Sequence, residues 1–211
     1  MKFAKTLLVS AALVASFGAS ADVVGSKGGG FGTFLTLAGP TGVPCTSATC
    51  TLTGSGTAGT IAGGTLYAAD REFADIPSAI IPGTLFLAAG PTSTSPSTLT
   101  FASAVNYISF LWGSPDLYNT LTIRSAANQD YNFTATSLNF PVTNGNQAFS
   151  QYVQFMGTNG DTIKSLRFAS SQDAFEVTNF STTPVPEPET YALMLAGLGA
   201  MGFVARRRKN V

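Results

Sequence analysis

Apolar and polar residues alternate with a period of two along most of this 211-residue chain, the spacing of a half-buried strand and not the 3.6-residue spacing of an amphipathic helix. Read between glycine, proline and asparagine breaks, the alternation predicts strands over residues 31–37, 60–68, 84–88, 99–101 and 106–112. Further strands follow over residues 117–124, 131–138, 149–155, 163–168 and 174–179. Gly63-Gly64, Pro82-Gly83, Gly90-Pro91, Gly113-Ser114-Pro115-Asp116, Asn144-Gly145-Asn146 and Asn159-Gly160-Asp161 mark the turns. Short strands so spaced predict an all-β fold, an antiparallel, jelly-roll-like sandwich, although an immunoglobulin-like fold or a barrel suits the same spacing. Residues 26–30, 91–96 and 181–188 read as linkers, the first through its glycines and the others through their prolines.

The two ends break this pattern. Lys2 and Lys5 precede an apolar run over residues 7–17, and Ala19-Ser20-Ala21 has the small-residue form that signal peptidase cuts after, so Asp22 is the expected mature N-terminus. At the other end stand Pro186-Glu187-Pro188, an apolar run over residues 191–205, and Arg206-Arg207-Arg208-Lys209. A helix over that run rises about 22 Å, short of the roughly 30 Å hydrocarbon core. Cationic side chains at the bilayer centre cost roughly 2.5–3.5 kcal/mol each, so the terminal cluster should stop translocation and leave the body outside the cytoplasm.

That order of parts closely resembles the PEP-CTERM sorting signal of Gram-negative bacteria. The resemblance implies that exosortase, an integral membrane protease, recognises the tail, removes it near Pro186-Glu187-Pro188 and passes the body to the cell surface or exopolysaccharide matrix. An ordinary C-terminal anchor with a proline-rich hinge is the alternative. The expected organisation is therefore a signal peptide (1–21), an exported β-sandwich domain (22–184) and a sorting signal with a short transmembrane helix (185–211). Signal peptidase, exosortase and, transiently, the membrane are the implied partners.

Charge reinforces export. Between residues 22 and 184 five basic side chains face nine acidic ones, a net charge of −4, although the whole chain is formally neutral. A mildly acidic body lacks the clustered Lys and Arg that binding nucleic acid requires. Cys45 and Cys50 are the only cysteines, and an oxidising compartment favours a local disulfide between them. Two thiols without a histidine make a poor zinc site, and two free thiols are the remaining alternative.

The chain has no histidine, which removes Ser-His-Asp and Cys-His catalysis and the usual general base near neutral pH. It also lacks a Gly-x-Ser-x-Gly elbow and a phosphate-cradling Gly-x-x-x-x-Gly-Lys loop. A pair of carboxylates is the enzymatic route left, since glycoside hydrolysis needs only an acid and a base or nucleophile. Asp70, Glu72 and Asp75 cluster around Arg71 and read first as solvated surface charge; no cofactor is expected, and Ca²⁺ is the ion such oxygen ligands suit. Tyr107, Trp112, Tyr118, Tyr131 and Tyr152 are candidates for stacking on sugar rings, although a sandwich must turn many of its aromatics inward. Residues 111–121 and 166–177 resemble stretches of exported PEP-CTERM surface proteins, a likeness that implies no activity. The sequence therefore predicts a non-enzymatic surface or matrix protein with a structural or polysaccharide-associating role; a carbohydrate-active enzyme using carboxylates is the rival.

Overall fold

The structure is a computed structural model that describes residues 22–30, 32–78, 80–81, 83–184, 193–198 and 201. Its strands are β1 (Asp22–Lys27), β2 (Thr36–Ala38), β3 (Cys50–Gly54), β4 (Thr57–Ala62), β5 (Thr65–Tyr67), β6 (Phe86–Ala89) and β7 (Ser97–Val105). The later ones are β8 (Tyr107–Gly113), β9 (Asn119–Ser125), β10 (Asp130–Phe133), β11 (Ser150–Thr158), β12 (Ile163–Ser170) and β13 (Phe175–Ser181). They form two antiparallel sheets, one ordered β1-β11-β8-β13-β6-β5 and the other β10-β9-β12-β7-β4-β3-β2. This is an all-β sandwich.

Side-chain alternation closes the two sheets on each other. In β9, Asn119, Leu121, Ile123 and Ser125 are buried while the residues between them are not, and β12 repeats the device with Ile163, Leu166 and Phe168. Phe110 of β8 lies at the centre of the layer, with its ring 5.8 Å from Phe155, 5.5 Å from Phe168 and 5.5 Å from Phe180. Trp112 stacks on Phe175 at 4.2 Å. Such ring pairs add about 0.5–1.5 kcal/mol each beyond the area they bury.

Most predicted strands are present with shifted limits. The 60–68 segment splits at Gly63 and Gly64, whose φ values of 74° and 71° turn the chain from β4 in one sheet to β5 in the other. The 131–138 segment stops at Phe133 because Thr134 and Ser137 fold a local turn, Ser137 Oγ accepting from Thr134 N at 2.8 Å and Thr134 Oγ1 from Ser137 N at 3.1 Å. Strands β1 and β3 escaped the sequence reading. Both are short, and β1 is an edge strand with a single apolar pair, Val23-Val24.

The glycine run was also misjudged as a flexible lead-in. Ser26 and Lys27 belong to β1, Gly28 N donates to Tyr152 O at 2.9 Å, and a Cβ on Gly29 would meet Ser109 Cβ at 2.5 Å. The run lies flat over β8 and β11, where only residues without side chains fit. In the same way, Ser181 of the supposed C-terminal linker closes β13. Cys45 and Cys50 are joined by a disulfide.

Phe110→Ala should cost about 3–5 kcal/mol, because the cavity left in a close-packed aromatic layer cannot collapse; a lower urea midpoint at unchanged slope would show it. Replacing both cysteines by serine should cost less, about 2 kcal/mol, since cysteines five residues apart close a short loop.

Candidate functional site

The two segments singled out by resemblance meet at one polar pocket. The β8–β9 connection brings Ser114, Asp116 and Tyr118, and the β12–β13 connection brings Asp173 and Glu176. The register Gly113↔Glu176 and the stacking of Trp112 on Phe175 hold the two connections together. Glu72 and Asp75, from the segment after β5, and Asn144 and Gln147 complete a cavity of about 200 Å³. Close backbone approaches shape it: a Cβ on Gly145 would meet Asp116 Oδ2 at 2.8 Å, and one on Gly113 would meet Pro77 at 2.9 Å.

Glu176 is the buried member, 3% exposed. Its Oε2 accepts from Ser114 Oγ at 2.8 Å and its Oε1 from Asp75 N at 3.4 Å. Burial raises its pKa to about 8, against the lowering effect of those donors and with a smaller push from the Asp75 charge. Glu176 is therefore mainly protonated at neutral pH. Asp75 is raised by burial and by the charge of Asp70, and Asp116 by burial, partly offset by a bond from Tyr118. Burial and then Asp116, Glu176 and Asp173 hold the Tyr118 hydroxyl well above its ordinary value, so it remains a donor, and it reaches Asp173 O at 3.3 Å. Asp173 itself is tied to Thr92, accepting from the amide at 3.0 Å and from the hydroxyl at 2.6 Å.

A neutral carboxyl beside charged ones is the division of states that acid–base chemistry uses, yet both oxygens of Glu176 are already engaged within the protein. Among the described residues no three Asp, Glu, His or Cys side chains are placed to hold a metal ion. Of the Ca²⁺ candidates, Asp70 Oδ1 accepts from Ile76 N at 2.8 Å, whereas Glu72 and Asp75 line the pocket. Arg71 sits over the Tyr67 ring at 5.5 Å.

A second concavity, about 610 Å³, opens beside β2 and β13 and is lined by Phe34, Thr36, Ile81, Thr84, Tyr152, Thr178 and Asn179 among others, none of them charged. Phe34 lies parallel to Tyr152, 6.3 Å between centroids, and Asn179 Nδ2 donates to Tyr152 Oη at 2.9 Å. Gly30 covers Tyr152 so closely that a Cβ there would collide with the ring. Phe34 and Ile81 keep exposed surface, 36% and 79% respectively.

The five aromatic candidates divide accordingly. Trp112 and Tyr107 are core residues, Tyr118 lines the acidic pocket, Tyr131 is half-buried against the core, and Tyr152 alone reaches the uncharged concavity. Sequence reasoning missed Glu176, Ser114 and Phe34 as site residues. The signal for Glu176 was a carboxyl inside the apolar run Phe175-Glu176-Val177, a strand buried on both faces.

Pro184 lies against Val24, Ser26, Tyr107 and Met156, so the chain leaves the sandwich beside edge strand β1. From that residue onward, over 184–209, the sequence matches the family model described as the PEP-CTERM protein-sorting motif. The protein carries a PEP-CTERM sorting motif. The match spans Pro186, Glu187, Pro188 and the cluster Arg206, Arg207, Arg208 and Lys209, and it marks the chain as an exported protein targeted to exosortase. No curated protein and no solved structure matches the chain. Residues 193–198 of the motif are helical, and among the described residues no helix is long and apolar enough to cross a membrane. The sorting tripeptide, the cationic cluster and the signal-cleavage residues Ala19 and Ala21 lie outside the described residues.

The raised pKa of Glu176 makes stability depend on pH. Its unfolded value is near 4.5 and its folded value about 8, so the unfolded chain loses this proton first and stability falls as pH rises between the two, by on the order of 5 kcal/mol in full. Chemical denaturation should show that decline, and Glu176→Gln should flatten it and be more stable than the wild type at the alkaline end.

Proposed function

We propose that this exosortase-targeted protein is a jelly-roll-like sandwich carried between an N-terminal signal helix and a C-terminal hydrophobic helix. Signal peptidase removes the first 21 residues, the tail anchors transiently in the inner membrane, and exosortase cuts near Pro186-Glu187-Pro188. The released body works at the cell surface or in the extracellular matrix without catalysing a reaction, associating with exopolysaccharide. The sorting motif carries the first half of this reading. The second half is supported by the uncharged concavity beside β2, where aromatic surface at Phe34 adjoins hydroxyl and amide groups at Thr36, Thr84 and Asn179. Neutral sugars offer apolar ring faces and hydroxyl rims, and such a lining complements both.

The rival, a carbohydrate-active enzyme, is favoured by one observation: the protonated Glu176 shares a polar pocket with Asp75 and Asp116. It requires wild-type protein to release reducing ends from purified matrix polysaccharide and Glu176→Gln to release none. On our reading neither protein releases any.

Intact mass of the surface form should lack the segment containing Arg206, Arg207, Arg208 and Lys209, and cells without exosortase should retain it in the membrane fraction. In co-sedimentation with the cell's own exopolysaccharide, Phe34→Ala should bind about tenfold more weakly, equivalent to about 1.4 kcal/mol. The exposed control Leu117→Ser, outside the concavity, should leave binding unchanged.

A further inference from the structure

Edge strand β1 begins at Asp22, the residue that signal-peptide removal makes the N-terminus. Asp22 pairs with Thr158, and the bond from Gly28 N to Tyr152 O sets the phase of the ladder. In that phase the even-numbered residues of β1 are the hydrogen-bonded pairs, so Asp22 N faces Thr158 O. The same carbonyl accepts from Asp161 N at 3.1 Å, and Thr158 Oγ1 donates to Asp22 O at 3.2 Å. The first nitrogen of the mature chain and the backbone of Asp161 thus converge on one oxygen.

Asp161 is 6% exposed. Its Oδ1 accepts from Thr162 N at 2.8 Å, while its buried Oδ2 has no hydrogen-bond partner. A buried carboxylate oxygen left unpaired is costly, and a cation is the partner that suits it. No lysine or arginine is ion-paired to it among the described residues, where the printed salt bridge joins Arg124 and Asp130. The other titratable groups facing this corner are the Asp22 carboxyl, whose Oδ1 accepts from Val23 N at 2.8 Å, and Tyr131 of β10. The Tyr131 hydroxyl is raised first by burial and then by the charges of Asp22 and Asp161, which places all three side chains in one neighbourhood.

We propose that Asp161 receives the α-ammonium group that signal-peptide removal creates on Asp22, so that processing itself fastens β1 to the sheet. Water adds across the Ala21–Asp22 peptide bond, the carboxylate departs with Ala21, and the amine left on Asp22 takes up the proton. Before the cut that nitrogen is an uncharged amide with one hydrogen, already committed to Thr158 O. After it, the nitrogen carries a positive charge and further hydrogens, one of which is free for Asp161 Oδ2. An edge strand with few apolar contacts is where such a bond has most effect.

The test compares two otherwise full chains, tail included, one beginning at Asp22 and one beginning at Ser20. Each is made with Asp161 and with Asp161→Asn, which keeps an oxygen for Thr162 N. Asp161→Asn should lower the melting temperature of the chain that begins at Asp22 by several degrees more than that of the longer chain; equal losses overturn the proposal, because the local role of Asp161 is the same in both. Amine acylation near pH 8, where an unpaired α-amine is largely neutral, gives a second reading. Asp22 should react about tenfold more slowly in wild type than in Asp161→Asn, and equal rates overturn the pairing. N-terminal sequencing of the exported protein should begin at Asp22, and any other start overturns the proposal while leaving the sorting assignment intact.

Discussion

The contact of β8 with β13 and, across the core, with β12 is the constraint on which the remaining structure depends. Strand β8 is buried at every position, so it cannot use the usual division into a core face and a solvent face. On its inner face Phe110 meets rings from β11, β12 and β13, which joins the two sheets through one side chain. On its outer face the chain must supply cover, and the glycine run does so over Ser109 and Tyr152. A body with so few charges has little else to orient its sheets, and aromatic packing takes that role.

The acidic pocket is a consequence of the same contact. Once Trp112 is stacked on Phe175, the residues just beyond them, Gly113 and Glu176, are neighbours in register, and Ser114 is delivered to the Glu176 carboxyl. Burial then keeps that carboxyl protonated at neutral pH, where ionisation would leave a charge with too little solvation. Both stretches that resemble other exported surface proteins are accounted for by this arrangement: each supplies one wall of the pocket and one ring of the stack. The resemblance therefore has a physical content that concerns the folded body, separate from the sorting motif at its end.

The β1 edge links the body to its export. The mature N-terminus and the exit of the sorting segment at Pro184 both lie on this strand, so the two segments handled by membrane-bound proteases leave the sandwich on one side. A body tethered in this way presents its far parts to the surroundings while either tail is engaged. The uncharged concavity is lined by residues of β2, β13 and the segments before β2 and β6, away from the sorting exit in sequence and in strand order.

The sequence by itself determined the all-β class, the turns, the disulfide partners and the sorting motif, because each rests on local chemistry: a two-residue alternation, residues that favour turns, a pair of nearby cysteines, and an ordered run of proline, apolar and cationic segments. Strand limits moved where local competition decided them, as when Thr134 and Ser137 took the backbone donors of an alternating segment. Only the tertiary structure decided which carboxyls converge and which aromatics face out. Asp116 and Glu176 are far apart along the chain, Phe34 and Tyr152 farther still, and the register and crossovers that unite them come from long-range pairing. The glycine run shows the difference most directly: read locally it is free to move, and in the fold it is held flat because nothing larger fits beneath it.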